Sequence, residues 1–248
     1  MSKINGRKRA SLTMSLVFPP LMHGYELDKP GHDPFEVAKS KAIQGVEAGL
    51  VVYNLTHEAL RATFIFTPEV SLNQAMIMLP ICGIGFQNAL GALAPPEVAV
   101  HLLWSGGILI NGARCGKLRV SANDQDPTKV PDWLCVGLEL DLWPASENMG
   151  ETPNETALYA EGCSEVDAST LLEAWARHTL NWLTRWEADG VRTVHNEWRG
   201  LAHGIGEKQT YMKDSNAVFM GVDDNFGMLL RDDDGTTSNI PLTTLLEE

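Results

Sequence analysis

The sequence predicts an α+β protein in which helices flank a sheet with at least one antiparallel pair, and a small β unit follows. Short runs of β-branched and aromatic residues, bounded by turn residues, occupy the middle of the chain and its end. Four longer segments carry apolar residues at helical spacing instead. Asn111–Gly112 lies between two of the strand-like runs, and this dipeptide favours a type I′ hairpin, which pairs strands antiparallel.

The first helix is predicted over Phe35–Gly49. Asp33 can cap it. Pro34 suits its first position, because an N–H there has no partner within the helix and the lack of one in proline costs nothing. Two short runs of strand-forming residues follow, at Leu50–Tyr53 and Ala62–Phe66.

The second helix is predicted over Leu72–Leu93, where apolar residues lie on all sides and small residues permit close packing. Pro80 must kink this helix or lie at a boundary. Four strand-like runs come next, at Val98–Trp104, Ile108–Ile110, Cys115–Ser121 and Trp133–Leu142.

The clearest helical pattern covers Ala168–Asp189, and Gly190 ends it. A fourth helix follows and finishes near Gly204. Short strands are then predicted at Ala217–Val222, Gly227–Arg231 and Asn239–Leu242. A unit of about 40 residues buries too little surface to fold alone, so it must pack on the main body. We therefore expect a disordered basic tail over 1–13, a main domain over 14–204 and a small β domain over 205–248.

Composition excludes several classes of function. No uninterrupted apolar run approaches the ~18 residues that a membrane span needs. Four cysteines without paired spacing fit a reducing compartment better than a disulfide framework or a structural metal site. A net charge of −13 with dispersed basic residues disfavours a nucleic-acid partner. The sequence thus indicates a cytoplasmic protein that binds neither membranes nor nucleic acid.

The segment Leu103–Leu118 resembles the signature of biotin protein ligases, in which a Lys-Trp-Pro-Asn-Asp strand end precedes a hairpin and a Lys-x-Gly-Gly-Ile return. Val136–Leu142 is similar to that family's Ile-Gly-Ile-Gly-Ile-Asn-Val strand, and Glu197–Arg199 ends a Trp-rich helix pair as in the family. From Asp33 onward the chain resembles the biotin/lipoate protein ligase family. The resemblance implies a mixed, mainly antiparallel sheet of the class II synthetase kind and a small SH3-like, β-barrel-like C-terminal domain.

Enzymes of this family activate a carboxylic acid with ATP and pass the acyl-adenylate to a lysine of a carrier protein. The resemblance therefore implies ATP and Mg²⁺ as cofactors, and biotin, lipoate or another small carboxylic acid as ligand. It also implies a biotinyl or lipoyl carrier domain as partner, and a homodimer.

Arg114 and Lys117 are the candidate catalytic residues. Arg114 aligns with the family's hairpin lysine, and its guanidinium can bind a carboxylate or phosphate through two hydrogen bonds. A solvated arginine beside an Asn-Gly turn is the alternative. Lys117 stands where the family usually has glycine, and strand alternation points it away from Arg114 unless a bulge intervenes. An exposed strand lysine is the alternative there.

The remaining expected ligand contacts are Trp104, Ser105, Gly106, Gly107, Gly116 and Arg61. We expect the Trp104 strand, the Asn111–Gly112 hairpin and Arg114 to form one wall of an acyl-nucleotide cleft, although a buried structural indole is the alternative for Trp104. Glu139 and Asp141 stand where the family has Gly and Asn, and either carboxylate could help to bind magnesium. A half-exposed strand pair explains these two acids equally well.

The sequence also departs from the family. Leu103 replaces the signature lysine, and Gly106 and Gly107 replace the Asn-Asp pair. The glycine-rich Gly-Arg-Gly-Arg-x-Gly loop is replaced by the shorter, glycine-free 54–63, although an anion-binding loop needs residues that tolerate its conformations. Asp33–Phe35 replaces the Ser-Thr-Asn start of the first helix.

Three functional hypotheses follow. The protein is an active ligase with a remodelled pocket, or a degenerate module that binds a ligand or a protein without catalysis. The third is an octanoyl-type acyltransferase that uses Cys115 as nucleophile and Lys117 as base.

Overall fold

The computed structural model describes residues 16–27, 31–45, 47–144, 152–210 and 216–247. The predicted basic tail, 1–13, lies outside these ranges. The described helices are α1 (Pro34–Ile43), α2 (Leu72–Ala75), α3 (Met78–Leu93), α4 (Ala168–Asp189) and α5 (Val191–Leu201). The described strands are β1 (His23–Glu26), β2 (Leu50–Leu55), β3 (Ala59–Phe66), β4 (Val100–Leu102), β5 (Gly107–Ile110), β6 (Ala113–Ala122), β7 (Leu134–Asp141), β8 (Lys208–Thr210), β9 (Asn216–Val222), β10 (Met228–Arg231) and β11 (Thr237–Ile240).

Seven strands form the main sheet in the order β1-β2-β3-β7-β6-β5-β4. β1 pairs with β2 in parallel, and the other neighbours pair antiparallel. The turn between β5 and β6 has positive φ at both Asn111 (52°) and Gly112 (92°), as a type I′ turn requires. The predicted hairpin and the mixed, mainly antiparallel sheet are therefore confirmed.

Helices cover the two faces of this sheet unequally. α1 packs on one face over a small core that includes Phe35, Val52 and Ile65. α3 and α4 pack on the opposite face over the larger core, which contains the fully buried Trp175. Asp33 caps α1 by accepting a hydrogen bond from the Phe35 N–H, as its position before Pro34 predicts.

The apolar segment Leu72–Leu93 is divided into α2 and α3, and Pro80 lies in the first turn of α3. This agrees with the prediction that the proline marks a kink or a boundary. The segment has the length and composition of a membrane span, with a mean hydropathy of 1.5, yet 72% of its most apolar 18-residue window is buried inside the protein. Gly85 allows the close approach of α4, since a Cβ there would collide with Thr179. The segment Leu72–Leu93 is therefore part of the protein core.

Two strands were not predicted, and one was misplaced. β1 has four exposed residues and so shows no apolar alternation, and β8 is only three residues long. β11 ends at Ile240, whereas the prediction extended to Leu242, which lies in a following 3₁₀ turn.

β8 to β11 form a second, antiparallel sheet in the order β11-β10-β9-β8, which confirms the small β unit. It packs on the main body through Phe226, whose carbonyl accepts a 2.7 Å hydrogen bond from the Trp104 indole N–H. After the last 3₁₀ turn the chain returns to the main sheet, where Leu246 bridges to Val120 in parallel.

Candidate functional site

A charged cleft lies on the face of the main sheet that carries α1. Its volume is about 780 Å³, which is enough for a ligand of cofactor size. Side chains from β3, β6 and β7 form its floor, and the β2–β3 turn and residues 152–156 form its rim. The lining includes seven charged side chains: Glu58, Arg61, Arg114, Lys117, Glu139, Asp141 and Glu155.

A β-bulge in β6 decides which side chains face this cleft. Ile108 pairs with Gly116 while the next residue, Leu109, pairs with Arg114, so Cys115 is an extra residue in β6. Arg114 and Lys117 are three positions apart and would face opposite sides of a regular strand. The bulge restores them to one face, and both line the charged cleft.

The cations of the cleft have unequal surroundings. The Lys117 ammonium lies 3.4 Å from a carboxylate oxygen of Glu139, its cross-strand neighbour. Arg61 pairs with Glu139 in backbone register from the other side, on β3. Among the described residues, the guanidinium groups of Arg61 and Arg114 form no hydrogen bond or ion pair. Both arginines are exposed in the described part of the chain.

The backbone around Arg114 fixes the rim of the cleft. Its N–H donates to the Asn154 carbonyl, and its carbonyl accepts from the Thr156 N–H, each at 2.8 Å. Residues 154–156 therefore run beside β6, and Glu155 lines the cleft there.

Glu139 is already engaged by two cations, so it is poorly placed to bind magnesium as well. Both Glu139 oxygens face cations, one at 2.9 Å from Arg119 and the other at 3.4 Å from Lys117. Within the described part of the chain, no group of three or more His, Cys, Asp or Glu residues is placed to hold a metal ion. Because Mg²⁺ needs carboxylate oxygens that are not held by cations, a magnesium ion on Glu139 would have to displace Arg119 or Lys117.

Partial desolvation in the cleft raises the pKa of Asp141 above its ordinary value. Arg61 opposes this rise, whereas the negative charges of Glu139 and Glu155 add to it. Ionising Asp141 therefore costs more free energy in the folded protein than in the unfolded chain.

We expect Asp141→Asn to stabilise the protein at neutral pH. Because the folded pKa lies above the unfolded one, the folded state binds the proton more tightly, and stability falls as pH rises through that window. The variant lacks this loss, so its advantage should vanish below the ordinary aspartate pKa of about 3.9. Urea unfolding across this pH range measures the difference. A variant less stable than the wild type at neutral pH would contradict the assignment.

The expectation that Trp104 and the following turn line the same cleft as Arg114 is wrong. Trp104 lies on the opposite face of the sheet, where it is 4% exposed and bonded to Phe226. Gly106 and Gly107 line a small apolar cavity beside it, and Ser105 is exposed at the turn. The Gly106 N–H donates to Leu103 within the turn, so it is not free for a ligand.

The other predicted contacts do meet. Arg61, Arg114, Gly116, Lys117, Glu139 and Asp141 come from three strands and line the one charged cleft. Sequence reasoning missed two features next to them. Arg119 lies two residues beyond Lys117, so strand alternation alone could have placed it on this face.

The second missed feature is an aromatic rim. Trp143 follows β7 and is 45% exposed, and its ring stacks on His57 of the β2–β3 turn at 5.3 Å between centroids. Tyr159 contacts the same indole edge-on at 5.4 Å. This turn, Thr56–Glu58, joins β2 directly to β3 where the family resemblance implies a long glycine-rich loop.

Cys115 is placed where it cannot act with Lys117. Its side chain is fully buried in the larger core, on the opposite side of the sheet from the cleft. Burial raises the thiol pKa well above its ordinary value, so the nucleophilic thiolate is disfavoured. Residues 115 and 117 would share one face of a regular strand, but the bulge places Cys115 and Lys117 on opposite sides of the sheet.

We expect no cysteine to react rapidly in the native protein. All four thiols are fully buried and have raised pKa values. Treatment with dithiobis-nitrobenzoate should therefore release chromophore only as fast as the protein opens. In denaturant all four should react at once. A burst of one equivalent in native buffer would contradict this.

Known proteins share this architecture. A biotin protein ligase-like protein of unknown function from Silicibacter sp. TM1040 is 59% identical, with a TM-score of 0.88 over 94% of this chain and 100% of that one. The apo biotin protein ligase of Aquifex aeolicus is 14% identical, with a TM-score of 0.70 over 90% of this chain and 96% of that one. The same enzyme in complex with biotin and ATP gives a TM-score of 0.66 at 14% identity, over 92% and 96%. No curated protein matches the sequence.

Two family models match the chain. Residues 205–248 match a domain of unknown function (DUF4444), which covers the second sheet. Residues 18–200 match the model of the biotin/lipoate A/B protein ligase family. That match includes every strand of the charged cleft and both helices of the larger core, so the chain belongs to the biotin/lipoate A/B protein ligase family.

Proposed function

We propose that this protein binds a small carboxylic acid in the charged cleft, as a ligand-binding member of its family without the adenylation step. The observation that carries the proposal is the pair of guanidinium groups, Arg61 and Arg114, which line one cleft and form no hydrogen bond or ion pair with the described residues. A carboxylate that bonds to both would gain two charge-assisted contacts. Such hydrogen bonds are among the strongest that proteins make.

The floor of the cleft favours a polar or short acid over a bulky apolar one. Lys117 and Glu139 stand at positions where the family has glycine, and their ion pair occupies space and adds charge there. An apolar ring placed on this pair would desolvate both charges, which is costly. An acid whose polar groups reach Lys117 or Glu139 avoids that cost.

Three features argue against adenylation. Both oxygens of Glu139 already face cations, so a metal would have to displace them. The tight Thr56–Glu58 turn offers no glycine to form a phosphate-binding loop. The His57 ring of this turn stacks on Trp143 at the rim. ATP, which the Aquifex aeolicus enzyme binds together with biotin, is therefore not a required ligand in this proposal.

Isothermal titration tests the proposal with a short polar acid, succinate, and with octanoate, lipoate, biotin and ATP, each alone and each acid again with ATP present. We expect heat with at least one acid in the absence of ATP, and the same affinity when ATP is added. Lys129→Ala is the control, because Lys129 pairs with Asp124 and does not line the cleft. No heat with any combination would overturn the proposal.

A second candidate function is ATP-dependent attachment of the acid to a carrier-protein lysine. It is favoured by the position of Arg114, which aligns with the family's hairpin lysine and does line the cleft. Mass spectrometry of an unmodified biotinyl or lipoyl carrier domain, incubated with the protein, ATP, Mg²⁺ and each acid, distinguishes the two. An acyl mass increment that requires all components would establish the ligase and overturn the non-catalytic proposal.

A further inference from the structure

The last described residues of the chain contact β6 next to the charged cleft. The Glu247 N–H donates to the Val120 carbonyl at 2.8 Å, and the Ser121 hydroxyl donates to the Glu247 carbonyl at 2.8 Å. Together with the Val120–Leu246 bridge, these bonds form what we call the C-terminal clasp. The clasp continues β6 pairing beyond the end of β5 and places the Glu247 side chain on the α1 face.

Arg119 binds that side chain along one edge of its guanidinium. Its Nε lies 3.0 and 2.9 Å from the two Glu247 carboxylate oxygens, and its second terminal nitrogen lies 2.6 Å from one of them. The Arg119 side chain is 14% exposed, and its guanidinium carbon lies 4.2 Å from the centre of the Phe35 ring. Packing on Phe35 thus fixes the plane of the guanidinium, and the hydrogen bonds to Glu247 fix its orientation within that plane.

The other terminal nitrogen of Arg119 points toward the cleft. It donates to Asp33 at 2.7 Å and to Glu139 at 2.9 Å. The second oxygen of Glu139 lies 3.4 Å from the Lys117 ammonium, which lines the cleft. A continuous series of charged contacts therefore runs from Glu247 through Arg119 and Glu139 to Lys117.

We propose that Glu247 is a positioning residue for the charged cleft, because it fixes Arg119, and Arg119 fixes the Glu139 carboxylate that holds Lys117. Without the Glu247 carboxylate, the nearest remaining acid for the free edge of Arg119 is Glu36, at 3.7 Å. Rotation toward Glu36 moves the guanidinium away from Glu139. Glu139 then keeps only its ion pair with Lys117, which can shift with it. The segment after the second sheet thus sets the position of a cation in a cleft built by the main sheet.

Lysine NMR tests this coupling without a ligand. Reductive methylation with ¹³C-formaldehyde labels each lysine, and the Lys117 signal is assigned by its loss in Lys117→Arg. We expect Glu247→Gln to shift the Lys117 signal and leave the Lys129 signal in place, since Lys129 pairs with Asp124 elsewhere. Arg119→Lys, which keeps the charge but loses the planar fork, should shift the Lys117 signal as well.

Glu36→Gln is the matched control, because it removes an acid near Arg119 that makes no hydrogen bond to it; its Lys117 signal should stay within the wild-type linewidth. Thermal unfolding checks that each variant is folded. A Lys117 signal that superimposes on the wild type in both Glu247→Gln and Arg119→Lys would overturn the proposal. The inference rests on the proposed function only in its choice of cleft. Absence of ligand binding would overturn the proposed function and leave the role of Glu247 intact. An unshifted Lys117 signal would overturn the role of Glu247 and leave the proposed function intact.

Discussion

Arg114→Ala is expected to weaken binding of a carboxylic acid to the charged cleft by roughly 10- to 100-fold, the range that a hydrogen bond to a charged group contributes. The free energy of unfolding should change by less than about 0.5 kcal/mol, because an exposed side chain without partners contributes little to stability. Arg114 is such a residue among the described ones. Calorimetric titration of the acid that binds the wild type, followed by urea unfolding, measures both quantities.

Two variants sharpen this result. Arg114→Lys keeps the charge and loses the two-pronged geometry, so its affinity should lie between those of wild type and alanine variant. Arg192→Ala removes an exposed arginine of α5 that does not line the cleft, and its affinity should equal that of wild type. Unchanged affinity in Arg114→Ala would show that the acid binds elsewhere.

Trp104→Ala is expected to lower the free energy of unfolding by about 3–5 kcal/mol, the usual cost of deleting a buried aromatic side chain. The indole is 4% exposed, packs in the larger core, and donates to the Phe226 carbonyl of the second sheet. Its removal leaves a cavity and an unpaired carbonyl where the second sheet meets the main body. Urea unfolding monitored by circular dichroism measures the loss.

A second variant at this position tests whether Trp104 has a structural role or binds the ligand. Trp104→Phe keeps most of the volume and loses only the N–H, so it should fold and bind the acid with wild-type affinity. A folded phenylalanine variant that no longer binds the acid would return Trp104 to the ligand site and contradict its placement on the opposite face.

Local patterns predicted most of the fold, because they reflect how single elements bury their apolar residues. The helical stripe of α4 and the Asn111–Gly112 turn are local properties, and both are confirmed. β1 was missed because all four of its residues are exposed, so no apolar alternation marks the strand that pairs with β2. No apolar pattern can report a strand of that kind.

The site was predicted in part for a related reason. Alignment to a signature fixes the order of residues along the chain, but the face of a sheet on which each lies depends on register. One extra residue, Cys115, brought Arg114 and Lys117 together, whereas Trp104, before the turn, lies on the other side. Arg119 joins acids from α1, β7 and the C-terminal clasp, and its bond to Glu247 spans 128 positions, a relation that no short motif contains.

That long span has a consequence for the order of assembly during synthesis. A ribosome releases β6 long before Glu247 exists, so the main sheet must first close with one edge of the Arg119 guanidinium facing water. Contacts between such distant residues form late, since their loop-closure entropy is lost before they add stability. The nascent protein should therefore pass through a nearly complete state in which the charged cleft is already built and Lys117 has yet to take its final position.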